Sequence, residues 1–186
     1  MNRFDITETP ISGVQVITRR RVGDERGFLE RLFDFDSLER FLGDRTIQQV
    51  NLTRTRDRGT VRGLHLQLPP NQEFKIMSCN KGRVFDVALD LRNGSPTFLQ
   101  WFGCELSQSN HKSLLIPPGC AHGVQTLDMD CELLYLHTAP FAPESEAGLN
   151  PLSARIGIEW PIPISHLSER DRTETSDPVQ FSGVTW

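Results

Sequence analysis

Most of the chain alternates apolar and polar residues with the two-residue period that is typical of half-buried β-strands. The clearest example is RVFDVALDLR, in which Phe85, Val87 and Leu89 fall on one face while Asp86 and Asp90 fall on the other. Turn-forming clusters separate such runs, among them RDRG, PPNQ, NKG, RNGSP and PPG. Many short strands at regular spacing, with little helix between them, predict a sandwich or a barrel.

Several of these runs carry polar side chains among buried positions. His65 stands between two leucines in TVRGLHLQL, Lys75 lies within EFKIMSC, and Tyr135 shares a face with Leu133 and His137 in CELLYLHT. A histidine in such a run is a hydrogen-bonded core residue, a metal ligand or a base. A solvated lysine and a hydrogen-bonded core tyrosine are likewise the simpler interpretations of the other two residues.

One amphipathic helix is predicted in FDFDSLERFLGD. Asp36 is placed to cap its N-terminus, with Glu39 three residues further on as in a capping box. Gly43 is placed to end the helix. The apolar stripe consists of Leu38, Phe41 and Leu42.

Length and composition bound the class of protein. The 186 residues fit one domain, which we place at residues 1–172, followed by a polar tail at residues 173–186. The net charge of −4 argues against general affinity for nucleic acid or anionic membranes. No C-x-x-C pair, signal-like N-terminus or membrane-length apolar run is evident in the sequence. We therefore expect a cytoplasmic protein that has neither a nucleic acid nor a membrane as its partner.

Arginine dominates the basic residues, with 17 arginines against three lysines. The planar guanidinium group suits bidentate binding of phosphate or carboxylate, so an acidic protein can still hold a local arginine pocket. Genomic base composition accounts equally well for most of these arginines.

The stretch PPGCAHG matches the pattern P-x-G-x-x-H, which is the second motif of metal-binding cupins. Metal cupins usually supply H-x-H from an earlier strand, but here that strand offers His65-Leu66-Gln67. Too few close ligands remain for tight binding of a transition metal. We therefore expect no metal site.

A set of longer stretches, in this order along the chain from about Asp24 to Asp171, resembles the dTDP-4-dehydrorhamnose 3,5-epimerase family of nucleotide-sugar epimerases. The stretches are DERGFLE, QQVNLTRT, GTVRGLHLQ, FKIMSCNKGRVFDVALDLRNGSPTF, IPPGCAHGV, LLYLHTAPFAPESE, IGIEWP and LSERD. The resemblance implies an all-β, cupin-type jelly-roll barrel with a few short helices, acting as a homodimer without metal or cofactor.

The same resemblance implies a substrate and a reaction. The substrate is a nucleoside-diphosphate 4-keto-6-deoxy-sugar, and dTDP-4-dehydro-6-deoxy-D-glucose is the first choice. The reaction inverts C3 and C5, next to the ketone, in the synthesis of deoxy-sugars such as rhamnose.

Matched by motif, four residues receive catalytic roles. His65 corresponds to the base, and Asp171 to the carboxylate that bonds it. Lys75 corresponds to the lysine near the ketone oxygen, and Tyr135 to the acid on the opposite face of the sugar. The substrate-binding positions implied by the resemblance are Arg26, Gln49, Asn51, Arg62, His122, Phe141, Glu146 and Arg170.

One departure from the family pattern concerns the nucleoside. A glutamate usually follows the arginine of the RGF motif by five residues, but here that position holds Arg31 and the glutamate is Glu30. One place along a strand is the opposite face, so the contact to the base differs. A 3- or 5-epimerase or a keto-isomerase acting on a dTDP- or CDP-sugar, and a non-catalytic sugar-nucleotide-binding cupin, therefore remain alternatives.

A geometric question also arises within the strand that carries the base. Arg62 and His65 point to opposite faces of a regular strand, although both are expected at the substrate. A bulge at Gly63 would bring both side chains to one face.

Overall fold

The computed structural model describes residues 3–173 and 183–184, and β-strands make up most of it. The strands are β1 (Phe4–Glu8), β2 (Gln15–Arg19), β3 (Val22–Asp24), β4 (Gly27–Leu29), β5 (Gln49–Thr55), β6 (Thr60–Gln67), β7 (Lys75–Lys81), β8 (Arg83–Asp90), β9 (Trp101–Ser107), β10 (Lys112–Ile116), β11 (Cys120–Thr126), β12 (Cys131–His137), β13 (Glu146–Gly148) and β14 (His166–Leu167). The helices are α1 (Phe35–Leu42) and α2 (Glu169–Thr173), with a 3-10 turn at Pro143–Ser145. Within the described residues, neither helix has the length and apolar character needed to cross a bilayer.

Two sheets face each other. The first has the order β1-β2-β10-β7-β12-β5, and the second has the order β13-β6-β11-β8-β9, with β14 added in parallel to β6. Strands β3 and β4 form a separate hairpin. Over the described residues the two sheets share no paired strands, so the fold is a two-sheet sandwich with open seams. The prediction of an all-β chain with a few short helices is confirmed.

Apolar side chains of both sheets meet between them and fill one end of the intervening space. Fully buried members of this cluster include Met77, Val84, Ala88, Leu114, Val124 and Leu133. Each large member contributes about 2 kcal/mol by leaving water. The other end of the space is the cavity described below.

The alternation predicted for β12 is confirmed. Leu133 and Tyr135 pack into the cluster between the sheets, and His137 lines the adjoining cavity. Leu134 and Leu136 face outward and pack beneath α1.

The N-cap of α1 differs from the prediction. Asp34, not Asp36, caps the helix, since its side chain accepts a hydrogen bond from the Ser37 N–H at 3.3 Å. The earlier start places Phe35 on the apolar face of α1, seven residues before the buried Leu42, and this face packs on Leu115 and Leu136. Gly43 ends the helix as predicted, with φ +63° and its N–H bonded to the Glu39 carbonyl at 2.8 Å.

A bulge in β6 resolves the orientation of Arg62 and His65. His65 pairs with His122 of β11, and Gly63 pairs with Gly123, the residue that follows His122. Two steps along β6 thus match one step along β11, and Leu64 is the additional residue of the bulge. Leu64 is buried in a cluster with Leu66, Leu89 and Leu149, while Arg62 and His65 both line the cavity. Gly63 has φ +109°, and a Cβ there would lie 2.5 Å from the His122 carbonyl oxygen. The bulge hypothesis is confirmed, and only glycine fits at this position.

The C-terminal tail is described only in part. The short helix α2 ends at Thr173, and Val184 forms an isolated parallel bridge with Arg92. Residues 174–182 and 185–186 of the predicted tail lie outside the described residues. The division into a domain at 1–172 and a tail at 173–186 stays a prediction.

Replacing Gly63 with alanine should lower the free energy of unfolding by about 2 kcal/mol or more, since the added Cβ is strained in φ and meets backbone atoms. Gly94→Ala is the matched control, because Gly94 has φ +76° but nothing lies within 4 Å of its added Cβ. Urea denaturation of both variants measures the difference. Equal losses would show that the close approach to β11 carries no cost.

Candidate active site

A cavity of about 810 Å³ opens between the two sheets. Its walls come from β5, β7 and β12 of the first sheet, β6 and β11 of the second, and α2 with the segment before it. All of the predicted site residues line this cavity except Arg26. Its volume suits a ligand larger than a monosaccharide.

His65 and Asp171 form the central pair on one wall. His65 Nε2 lies 2.7 Å from Asp171 Oδ1, and the Asp171 carboxylate is buried. Burial alone would raise the pKa of Asp171, but the hydrogen bond from His65 and that carboxyl's contact with the Gly63 N–H hold the pKa below its usual value. An ionised carboxylate only accepts hydrogen bonds, so Nε2 of His65 carries the proton. The Nδ1 lone pair is then left to act as a base.

Two contacts hold Asp171 against His65, one between strands and one at the start of α2. Strand β14 runs parallel to the start of β6, pairing His166 with Thr60 and Leu167 with Val61. Helix α2 follows directly after β14. The Asp171 N–H donates to the Oγ of Ser168, the residue that precedes the helix, at 3.0 Å. Together these contacts hold the first turn of α2 over the β6 bulge, since they fix both its position and its start.

Tyr135 lies on the opposite wall, in β12 of the first sheet. Its ring stacks on His137 at 6.0 Å between centroids and meets the edge of His122 at 5.9 Å. Burial raises the pKa of Tyr135 to about 12. The phenol therefore stays protonated at neutral pH and can serve as a proton donor.

The wall that carries His65 contains a second imidazole–carboxylate pair. His122 Nε2 lies 2.8 Å from Asp86 Oδ1, and both residues are buried. Arg62 stands close by in β6, with its Nε donating to Thr55 Oγ1 at 3.1 Å. These bonds orient two residues that line the cavity, the buried His122 and the exposed Arg62.

Lys75 stands in a third such group. Its Nζ lies 3.4 Å from Glu73 Oε1 and 3.4 Å from the His65 carbonyl oxygen. The other oxygen of Glu73 lies 2.9 Å from His137 Nδ1. Lys75 and His137 are direct cross-strand partners, so one buried carboxylate serves both.

The rim of the cavity carries an exposed ring and an ion pair. Phe141 is 58% exposed, and its N–H donates to Gln49 Oε1 at 3.0 Å. Arg170 of α2 reaches Glu146 Oε2 at 3.1 Å. An exposed aromatic ring beside polar groups is suited to stacking on a flat ligand group.

Arg26 lies away from the cavity on the hairpin of β3 and β4. Its side chain is 85% exposed and pairs with Asp24 at 2.5 Å. At the base of the hairpin, the buried Glu30 binds Arg19 Nε at 2.9 Å and Arg21 Nε at 3.0 Å. Burial opposes ionisation of Glu30, but the two arginines hold its pKa below the usual value.

The position of the missing second histidine has a structural use. Gln67 Oε1 accepts from the Ala142 N–H at 2.7 Å, and its Nε2 donates to the Pro140 carbonyl at 3.2 Å. Gln67 thus anchors the loop that carries Phe141. Within residues 3–173 and 183–184, no group of three His, Cys, Asp or Glu side chains is arranged to hold a metal ion.

Residues 8–176 match the family model described as dTDP-4-dehydrorhamnose 3,5-epimerase. The chain belongs to this family. A dTDP-4-dehydrorhamnose 3,5-epimerase of Sinorhizobium fredii is 40% identical over 178 residues, which cover 94% of this chain and 91% of that protein. The protein is therefore an enzyme of the isomerase class.

Solved structures of related epimerases have the same fold. The Legionella pneumophila dTDP-6-deoxy-D-glucose-3,5-epimerase, in complex with dTDP-4-keto-L-rhamnose, superposes with a TM-score of 0.87 at 36% identity, covering 92% of each chain. A 3'-monoepimerase from Streptomyces bikiniensis, in complex with dTDP-quinovose, gives a TM-score of 0.87 at 29% identity over 95% of this chain and 91% of that one. The predicted jelly-roll fold of this epimerase is confirmed, while the roles of individual residues stay predictions.

Three members of the imidazole–carboxylate pairs of this epimerase were not predicted as site residues: Glu73 and His137, which line the cavity, and Asp86, which is buried behind His122. Alternation along β12 places His137 on the face of Tyr135, and this signal could have identified it. The pairing of Asp86 with His122, and of Glu73 with His137, joins residues 36 and 64 positions apart. No spacing rule predicts such contacts.

Asp171→Asn should change the tautomer of His65. The carboxamide can donate to Nε2, which moves the imidazole proton to Nδ1 and removes the lone pair from the cavity. The chain has only five histidines, so ¹⁵N chemical shifts of the imidazole nitrogens can be assigned and followed. If His65 kept its proton on Nε2 in this variant, Asp171 would not be what orients it.

Proposed function

We propose that this epimerase inverts C3 and C5 of dTDP-4-dehydro-6-deoxy-D-glucose, within deoxy-sugar biosynthesis of the rhamnose type. The observation that carries the proposal is the placement of His65 and Tyr135, which line one cavity from opposite sheets. Inversion of a carbon requires removal of its proton from one face and delivery of a proton to the other. An imidazole base and a protonated phenol on facing walls meet this requirement.

The reaction begins with loss of a proton next to the ketone. His65 Nδ1 takes this proton, a step in which a positioned base contributes roughly 10²–10⁴-fold. The electron pair moves onto the ketone oxygen, and Lys75 supplies a positive charge there. By analogy with oxyanion-hole donors, this stabilisation is worth about 3–4 kcal/mol.

The second half of the reaction restores the carbon. Tyr135 gives its proton to the opposite face of the enolate, and the ketone forms again. His65 releases its proton to water and the phenolate takes one back, so protons and electrons balance without a cofactor. We propose that the reaction needs no metal, and turnover after exhaustive chelation would support this.

The nucleotide part of the substrate accounts for the remaining contacts. Arg62 and Arg170 are proposed to hold the diphosphate, and Phe141 is proposed to stack on the nucleobase. Gln49, Asn51, His122 and Glu146 are proposed to bind the sugar and the nucleoside. The Glu30 carboxylate is bonded to its two arginines and is not available to contact the nucleoside. Arg31, which stands where the family pattern has a glutamate, does not supply that contact either. We propose thymine as the base, and the bound dTDP-sugars of the two solved relatives support this choice.

We also propose that the enzyme is a homodimer in which Arg26 serves the cavity of the partner subunit. The hairpin that carries Arg26 projects from the fold with Val22, Phe28 and Leu29 between 54% and 62% exposed. The edge strand β5 also exposes Leu52. Burial of these apolar side chains against a second copy would remove an unusual exposed patch and bring Arg26 to a substrate.

Further proposals concern the setting of the enzyme. A cytoplasmic location is supported by the free thiols of Cys79, Cys104, Cys120 and Cys131. We propose that the unit at residues 1–172 carries the catalytic site and that neither nucleic acid nor membrane is a partner. A net charge of −4 supports the last point.

Inversion of a single carbon is the second candidate function. The likeness to the Streptomyces bikiniensis 3'-monoepimerase favours it, because the same fold performs the narrower reaction there. The two candidates differ in which carbons exchange their protons with solvent.

Incubation of the keto-sugar nucleotide with enzyme in deuterated water should place deuterium at both C3 and C5, as read by NMR. His65→Asn should reduce this exchange by roughly 10³-fold or more, since the base is lost. Tyr135→Phe should retain exchange without inversion, because His65 can return a deuteron to the face from which it came.

Label at one carbon alone would support the single-carbon reaction. No exchange on any keto-sugar, together with unchanged nucleotide-sugar affinity in His65→Ala, would leave a non-catalytic binding protein. Loss of exchange in Tyr135→Phe as well as in His65→Asn would contradict the division of roles between the two walls.

Mixing two impaired variants tests whether Arg26 serves the cavity of the partner subunit. Arg26→Ala should raise KM roughly 10–100-fold through loss of a charge-assisted phosphate contact. A mixture with His65→Asn should regain activity, since one cavity of each mixed dimer then has both residues intact. The control is a mixture of the wild type with a variant that carries both Arg26→Ala and His65→Asn in the same chain. A monomer by light scattering, or no recovery on mixing, would overturn the proposal.

A further inference from the structure

The catalytic lysine shares its buried carboxylate with an imidazole. Glu73 is only 7% exposed, with Oε1 at 3.4 Å from Lys75 Nζ and Oε2 at 2.9 Å from His137 Nδ1. The contact to the imidazole is thus the shorter of the two. The lysine, which is positively charged, has the longer one.

The orientation of the His137 ring is fixed from three sides. Glu73 accepts at Nδ1, Asn51 Nδ2 lies 3.4 Å from Nε2, and the Tyr135 ring is parallel to within 7°. A carboxylate at Nδ1 and an amide N–H at Nε2 fit a neutral ring with its proton on Nδ1. His137 is therefore built as a hydrogen-bond donor to Glu73.

A carboxylate next to a catalytic cation has two opposing effects. It makes burial of the charged lysine possible, because an isolated ammonium group in this wall would be costly. A close contact with both oxygens, however, would neutralise the field that an enolate oxygen experiences. The arrangement that avoids both costs keeps the carboxylate near the lysine while its shorter hydrogen bond goes to another group.

We propose that His137 is a positioning residue that holds Glu73 back from Lys75 and so preserves the positive charge facing the ketone oxygen. This inference rests on the proposed function, since it concerns the lysine of that reaction. His137 acts through Glu73. Its loss lets the carboxylate turn fully onto the lysine.

The test is a double-mutant cycle on kcat. His137→Leu removes the donor and should lower kcat roughly tenfold, a part of the 10²–10³-fold that loss of a whole oxyanion-hole donor costs. KM should change less than about threefold, because the proposed phosphate contacts lie elsewhere. In the Glu73→Gln background the same substitution should lower kcat by less than about threefold, since no carboxylate is left to turn.

Two further variants separate this role from packing. His137→Asn retains an N–H donor near the position of Nδ1 and should recover most of the lost kcat, whereas a packing role predicts no such recovery. Glu105→Gln removes one half-exposed carboxylate on β9, away from the cavity, and is the matched control for the change in charge. Equal losses from His137→Leu in both backgrounds, or full kcat in His137→Leu, would overturn the inference.

A second readout does not depend on turnover. The chain has three lysines, Lys75, Lys81 and Lys112, so ¹³Cε-labelled lysine gives three signals that single substitutions can assign. His137→Leu should shift the Lys75 signal alone, and His137→Asn should shift it less. If the wild-type enzyme fails to exchange protons while this shift is present, the proposed function falls but the contact stands. An active wild type with an unmoved Lys75 signal would reject this inference alone.

Discussion

The hydrogen bond between His65 and Asp171 is the contact on which the site depends. An imidazole is a useful base only when one nitrogen is held as a donor and the other faces the substrate. Here the acceptor, Asp171, lies 106 residues after His65 in the sequence. It belongs to a helix of five residues that would not form alone in water. The pairing of β14 with β6 places that helix, and the bulge at Gly63 turns His65 toward it. Several weak local features therefore combine to produce one precise contact.

Charge burial explains why the cavity stays open beside an apolar core. Its walls contain three imidazole–carboxylate pairs, which are His65 with Asp171, His122 with Asp86, and His137 with Glu73. A single buried carboxylate would cost several kcal/mol, and each pairing offsets much of that cost. The stability of the fold comes instead from the apolar cluster at the other end of the sheets. The site can thus be polar because it does not have to hold the sheets together.

Alternation along the sequence allowed the strands to be predicted, and the family resemblance supplied half of the described residues that line the cavity. Alternation fixed the faces of β12, and the glycine at position 63 identified the bulge, because both are local effects. The cap of α1 was assigned two residues too late, since Asp34 bonds the Ser37 N–H and the partly buried Phe35 packs as the first helical residue. The partners of His122 and His137 could not be predicted, because they depend on which strands the topology brings together. The location of Arg26 outside its own cavity likewise depends on the direction of a hairpin.

A two-sheet scaffold is physically suited to inversion at carbon. A single helix or sheet presents its side chains to one face of a bound sugar, whereas facing sheets supply groups to both faces at once. The proposed base, His65, belongs to the second sheet and the proposed acid, Tyr135, to the first, so in this mechanism neither has to move for the proton to be replaced from the other side. Where related metal sites would need a second histidine, Gln67 instead ties down the loop that carries Phe141. The same strand position therefore fixes a loop beside the cavity, and the proposed chemistry rests on the charges of fixed side chains.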